Sequence, residues 1–377
     1  MTFVDADKRA TAHLDVLKLT ASIAVGGGGL FALYLAARRQ RTQELELAQR
    51  KSVQAHVEDE AKSNRAHVET VQALAAQVAD HNREDAAARR VTELYSKSVE
   101  QLGSDQAAVR LGGLYALERL AQDNPDQRRT VGRVLCAYLR MPFEVPDAPP
   151  WLEDVDGLGY KTLLAEYRER VQEREVRVAA QRVLRDHLLK GDEAQPLPTF
   201  WADIALDLRA TSLVDFDLAR CTVGEVDFRS ATFTGEAHFE AAMFTGDVDF
   251  VSATFIGAAH FKEATFTSGA DFVSATFDST VDFASARFTN GVLFGLATFK
   301  GYAHFKAATF TKLAFFKRAT FASIAFFNKA TFTDAASFKG TEFASRPQFT
   351  ASVFIDGVPP EVSEFVSEHR SGSGSSR

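Results

Sequence analysis

The chain has 377 residues, enough for two or three folding units, and 50 Asp plus Glu against 43 Lys plus Arg leave a formal charge of −7, which argues against a general nucleic-acid binder. Two cysteines, Cys136 and Cys221, are too few for a disulfide framework and read as reduced thiols.

Residues 1–18 form an N-terminal tail. Leu19 to Ala37 is a run of nineteen residues without a charge, bounded by Lys18 and by Arg38, Arg39 and Arg41, which predicts a single transmembrane helix. Three Lys and Arg precede it (Lys8, Arg9, Lys18) and five follow closely (Arg38, Arg39, Arg41, Arg50, Lys51), so the C-terminal side is expected in the cytoplasm. Within the span, Ser22 with Gly26 and Ala24 with Gly28 set small residues four apart, a spacing that lets helices approach in lipid.

Residues 38–102 contain neither Pro nor Gly and predict a helical stalk. A 4-3 spacing through Val57, Ala61, Asn64, Val68, Val71, Ala75, Val78 and Asn82 is the seam of a weak coiled coil, so homo-oligomers through span and stalk are one expectation and a solvated helix the other. Residues 103–200 read as a small helical domain, with Gly103-Ser104 stopping the stalk and capping the next helix. Asn124-Pro125 ends that helix, and a third carries Val131, Val134, Leu135, Tyr138 and Leu139. A Pro-rich linker spans 142–150, after which Tyr160 to Lys190 predicts a charged amphipathic helix.

From Phe228 to Phe354 a phenylalanine recurs at alternating steps of five and six residues, an eleven-residue period held without a slip. Such self-similarity marks a solenoid, whose units bury their apolar faces only against neighbours. Ala or another small residue stands two before nearly every Phe and a polar residue lies between, as a short strand with one inward face requires. The core ladder is therefore Phe228, Phe233, Phe239, Phe244, Phe250, Phe255, Phe261, Phe266, Phe272, Phe277, Phe283 and Phe288, continuing to Phe354. Upstream the period is a plain five through Leu208, Leu213, Leu218 and Val223.

The stretches "DLRATSLVDFDLARCTVGEVDFRSATF" and "ATFTGEAHFEAAMFTGDVDF" resemble the pentapeptide-repeat family, with Phe in place of the commoner Leu and an extra residue in every second unit near Gly235, Gly246, Gly257 or Gly269. The resemblance covers about residues 203–356 and implies a right-handed four-sided β-helix, here with 22 rather than 20 residues per coil. The string "AVRLGGLYALERLA" resembles the first helix of a HEAT-type hairpin, and "YSKSVEQLGSDQAAVRLGGLYALERLA" resembles a segment accompanying such repeats in membrane-anchored bacterial proteins. The expected fold class is thus α+β multidomain: a transmembrane helix, a helical stalk and small α-helical domain, then a quadrilateral β-helix over 201–356 and a disordered tail over 357–377.

No nucleophile, phosphate-loop or metal-ligand signature stands out, so no catalytic residue, cofactor or metal site is expected. A 22-residue coil aligns His238, His260, Asp282 and His304 in one column and Asp227, Asp249 and Asp271 in another; the carboxylates could hold a cation, but solvated charge is the plainer reading. Charge is uneven along the repeats: fourteen acids face four bases over 203–282, a balance of −10, whereas two acids face nine bases over 283–346, a balance of +7. The distal bases Lys300, Lys306, Lys312, Lys317, Arg318, Lys329 and Lys339 form the expected interaction surface for an anionic partner. The resulting expectation is a non-enzymatic, membrane-anchored scaffold with an unidentified protein partner. The alternative is a DNA-mimicking modulator of a type II topoisomerase, because some members of the resembling family act so; the basic second half opposes it.

Overall fold

The computed structural model describes residues 29–146, 149, 157–192, 194–202 and 204–366. Most of the expected span at 19–37, the tail before it and residues 367–377 lie outside the described residues, as does part of the 142–150 linker. Among the described residues no helix is long and apolar enough to cross a membrane. Contacts divide the chain into two compact units, Met1–Ala87 and Ala88–Arg377.

Helix α1 (Gly29–Leu102) covers the stalk. Every side chain from residue 38 to 90 is exposed, including Val57, Val68, Val71 and Val78 of the coiled-coil seam, so that seam has no partner among the described residues. Ser98 and Leu102, by contrast, are buried against α2 (Ala107–Asp123). The two helices cross closely because Gly113 has no side chain: a Cβ there would overlap the backbone of Ser98 and Leu102. Gly103 ends α1 as expected, its N–H donating to Val99 at 3.1 Å. Ser104, however, is not the cap of α2. The helix starts at Ala107 after Gln106, and Ser104 Oγ instead accepts from the Gln106 N–H in the preceding turn.

With α3 (Arg128–Leu139) and α4 (Gly157–Leu188), α2 encloses Leu114, Leu117, Leu135, Val176 and Val183, a cluster that continues without a break through Trp201 and Ile204 into the repeats. Residues 103–200 and the repeats therefore share one core within the second unit.

The repeats wind through about seven turns with four parallel sheets as sides. In chain order, face I runs from Leu206–Asp207 to Ala336–Ser337 and face II from Ser212–Val214 to Glu342–Phe343. Face III runs from Ala237–His238 to Ala325–Phe326, and face IV from Thr222–Val223 to Val353–Phe354. The coil widens as it starts: Leu206 pairs with Val226, Thr222 with Met243, and Val226 with Val248, steps of 20, 21 and then 22 residues. From Phe228 to Phe332 each side of the coil buries one ladder Phe and the small or aliphatic residue two before it. Rings on one face stack at 4.4 to 5.2 Å, as Phe250, Phe272 and Phe294 do at 4.8 Å, and meet rings of the opposite face edge-on, Phe261 to Phe272 at 5.8 Å. Offset stacks and edge contacts are the arrangements aromatic quadrupoles favour.

Corners of two kinds explain the alternating steps. After Phe on faces I and III the chain turns tightly: the Ala231 N–H donates to the Phe228 carbonyl at 2.9 Å, with Ser230 between them at φ 57°. The other two corners hold the extra residue, and the four-sided plan survives because opposite corners widen together.

Both ends of the coil are covered. At the first coil, Gln181 of α4 binds the free backbone of Val214 as a strand would, donating to its carbonyl at 2.8 Å and accepting its N–H at 3.1 Å, while Arg140 donates to the Asp207 carbonyl at 2.6 Å. Such pairing removes an open sheet edge. At the last coil the expected disordered tail needs correction for 357–366: a 3-10 turn (Pro360–Val362) and α5 (Ser363–Val366) fold over the end, Val362 is fully buried, and Phe365 meets Phe343 edge-on at 6.1 Å. The exposed last rings need an apolar cover, which these residues provide.

Candidate functional site

With the core filled by rings, what the repeats offer outside is set by one outward residue per strand, stacked along each face. On face II the column is Thr232, Thr254, Thr276, Thr298 and Thr320, which fits strand propensity.

On face I the column begins Asp207, Asp227, Asp249, Asp271, the last three in the register expected from the 22-residue spacing and Asp207 joining them by a step of 20. The carboxylates have structural work. Asp227, Asp249 and Asp271 each accept the backbone N–H two residues on, at 3.1, 2.9 and 2.8 Å, and so satisfy the tight corner. Arginines interleave the first of them: Arg209 holds Asp207 at 2.9 Å and Asp227 at 3.3 Å, and Arg229 holds Asp227 at 2.6 Å and Asp249 at 3.5 Å. Hydrogen bonds from Arg209, and the charge of Arg140 at 3.0 Å, hold the Asp207 carboxyl below its ordinary range. At Asp271 the ladder has run out, since Val251 and Val273 stand where arginines stood. Burial, and then the neighbouring Asp249 charge, push the Asp271 carboxyl upward.

The column then changes character. Asp271 is followed by Leu293 and Phe315 in the same register, and these with Val273, Leu296, Leu313, Lys317 and Arg318 line an open apolar groove. Leu296 is 49% and Leu313 38% exposed. The spacing that aligns the aspartate column in the sequence also passes through Leu293 and Phe315, so this strip is legible there as well.

All seven expected distal bases are exposed, yet the coil does not bring them into one patch. Lys312, Lys317, Arg318 and Lys339 flank face I, Lys306 and Lys329 follow strands of face III, and Lys300 follows face II, where Asp278 engages it at 2.7 Å. The DNA-mimic reading loses ground on the same face, because Arg209 and Arg229 neutralise the carboxylates that would imitate phosphates.

Face III carries the second expected column, His238, His260, Asp282, His304, ending at Phe326. Glu236, from the wide corner before His238, joins the first two: its Oε2 lies 3.3 Å from His238 Nε2 and 3.7 Å from His260 Nε2. Aligning strand residues at the 22-residue spacing brings the two histidines together in the sequence but leaves out Glu236, which enters from the corner. His304 takes no part and stacks on Phe326 at 4.7 Å.

The thiols are not reactive centres. Burial pushes Cys136 and Cys221 each up to about 12, far from the range of a nucleophilic thiolate.

The family model for pentapeptide repeats (9 copies) matches residues 250–298 and 294–342. Residues 250–342 are pentapeptide repeats. The matched region holds the 22-residue coils with one inward Phe on every side, so these pentapeptide repeats keep the register while enlarging two corners per turn. No curated protein and no solved structure matches the chain.

Proposed function

We propose that the protein is a non-catalytic interaction scaffold, held at the cell membrane by residues 19–37 with its pentapeptide repeats in the cytoplasm. The observation that carries this reading is the face I strip, where Leu293 and Phe315 replace the aspartates of earlier coils and Lys317 and Arg318 border them. An exposed apolar strip with a charged rim is the common form of a protein-binding surface. The uncharged run with its basic flank supports the tether, and the Lys/Arg excess after it supports the cytoplasmic side.

The test is capture of binding partners from membranes by the full chain and by a Leu293→Asp/Phe315→Asp variant. Both positions point outward, so the variant should keep its melting curve and lose the partners the parent retains. Identical captures by the two proteins would remove the strip as the working surface.

A further inference from the structure

His238 and His260 are outward residues of neighbouring face III strands, paired in register, with rings parallel at 5.0 Å and 8°. A single carboxylate oxygen, Glu236 Oε2, faces the Nε2 atom of both, and the three donor atoms lie within 4.8 Å of one another. Proton accounting makes the arrangement unusual. A neutral imidazole has one N–H to give, and His238 has a carboxylate at each nitrogen: Glu240 Oε1 is 3.1 Å from Nδ1 and Glu236 is 3.3 Å from Nε2. If Nδ1–H donates to Glu240, the Nε2 lone pair points at an anion. His260 Nε2, shielded from solvent, has no hydrogen-bond partner among the described residues. With both rings in the Nδ1–H tautomer, two nitrogen lone pairs and a carboxylate oxygen converge with no donor between them.

We propose that Glu236, His238 and His260 bind a divalent late transition-metal ion, of which zinc is the redox-inert representative. Two imidazoles and one carboxylate suit this class, whereas calcium and magnesium prefer all-oxygen sites. Glu240 has the role of the outer carboxylate that fixes the tautomer of a metal-bound histidine. The flanking members of the column are already engaged: Asp217 with Arg185 at 2.8 Å and with the Ala219 N–H, and Asp282 with the Ala284 N–H. Bringing both nitrogens to about 2.0–2.1 Å from one ion requires the rings to tilt together. Each His side chain is only about one-third exposed but borders solvent on its outer edge, so the tilt displaces no core residue. The ion would tie two successive coils together and keep a coordination position for water or for a ligand from another molecule.

The full chain, stripped with a chelator, is titrated with zinc by calorimetry and with cobalt(II) by visible absorption. The expected result is one saturable ion per chain, tetrahedral cobalt bands, and a melting temperature that rises with zinc. His238→Ala, His260→Ala and Glu236→Gln should each abolish the bands while melting like the parent in chelator. Glu240→Gln should weaken binding about tenfold or more, as loss of an outer-shell partner does. His304→Ala, in the same column, should bind as the parent does. Absence of saturable binding, or equal binding by a His238→Ala/His260→Ala variant, would overturn the site.

Discussion

Asp207 and Asp271 hold equivalent outward positions three coils apart, and their surroundings act on them in opposite senses. Asp207, hydrogen-bonded by Arg209 and beside Arg140, has its folded pKa lowered. Its contribution to stability is complete above the unfolded value of about 3.9 and is lost as pH falls through the lower folded value. Asp271 has its folded pKa raised by burial and by Asp249, so ionisation destabilises the fold. That penalty is absent below about pH 3.9 and complete once pH exceeds the folded value. Asparagine keeps the oxygen that accepts the Val273 N–H. Asp271→Asn should therefore raise the melting temperature at neutral pH and Asp207→Asn should lower it, and both differences should shrink on acidification. Melting curves over a pH series check this, and shifts of the same sign at neutral pH would contradict the ladder's role.

The corners are the elements in which this coil departs from a plain five-residue repeat, and they make separate demands on sequence. Ala307 sits at φ 56° in a tight corner, where a side chain is strained and glycine is not. Ala307→Gly should stabilise by about 1 kcal/mol. Gly257 lies in a wide corner packed on the previous coil, and a Cβ there would overlap the carbonyl of Gly235. Gly257→Ala should cost about 1–3 kcal/mol by overpacking. Denaturant melts of both variants test the pair. The same elements show what could be read from the sequence. The Phe period with Ala two before gives the inward face, because this follows from strand alternation and spacing; the four sides, and with them the 22-residue register, come from the resemblance to pentapeptide repeats. The direction of Glu236 did not follow, because it depends on the path of a corner that has no period-two rule. The cap at Pro360–Val366 was likewise hidden: a short segment with a single fully buried residue, Val362, carries too little periodicity to separate from a tail.

For the second compact unit as a whole, stability depends on closing a core that would otherwise be open at both ends. The helical side does this with a broad cover, in which Trp201 stacks on His187 at 4.0 Å and Gln181 pairs with the first coil. The far side relies on far less. Val362→Asp should cost about 3 kcal/mol and uncover Phe343 and Phe354, since it places an unpaired carboxylate against apolar rings. Greater binding of an apolar-surface dye by this variant, and not by the exposed Glu364→Ala, is the expected readout.

The core repeats every eleven residues, whereas the coil closes only after twenty-two. An insertion or deletion of eleven residues would leave every ring in place, and the interior could not register the change. Outside, each downstream side chain would move to the opposite face: Lys317 would leave the side of Asp249 and join that of His238, and Phe315 would follow it. Length changes in steps of twenty-two preserve surface and core together, while steps of eleven preserve only the core. The duplication of half a coil is thus a frameshift of the surface that the fold itself does not resist.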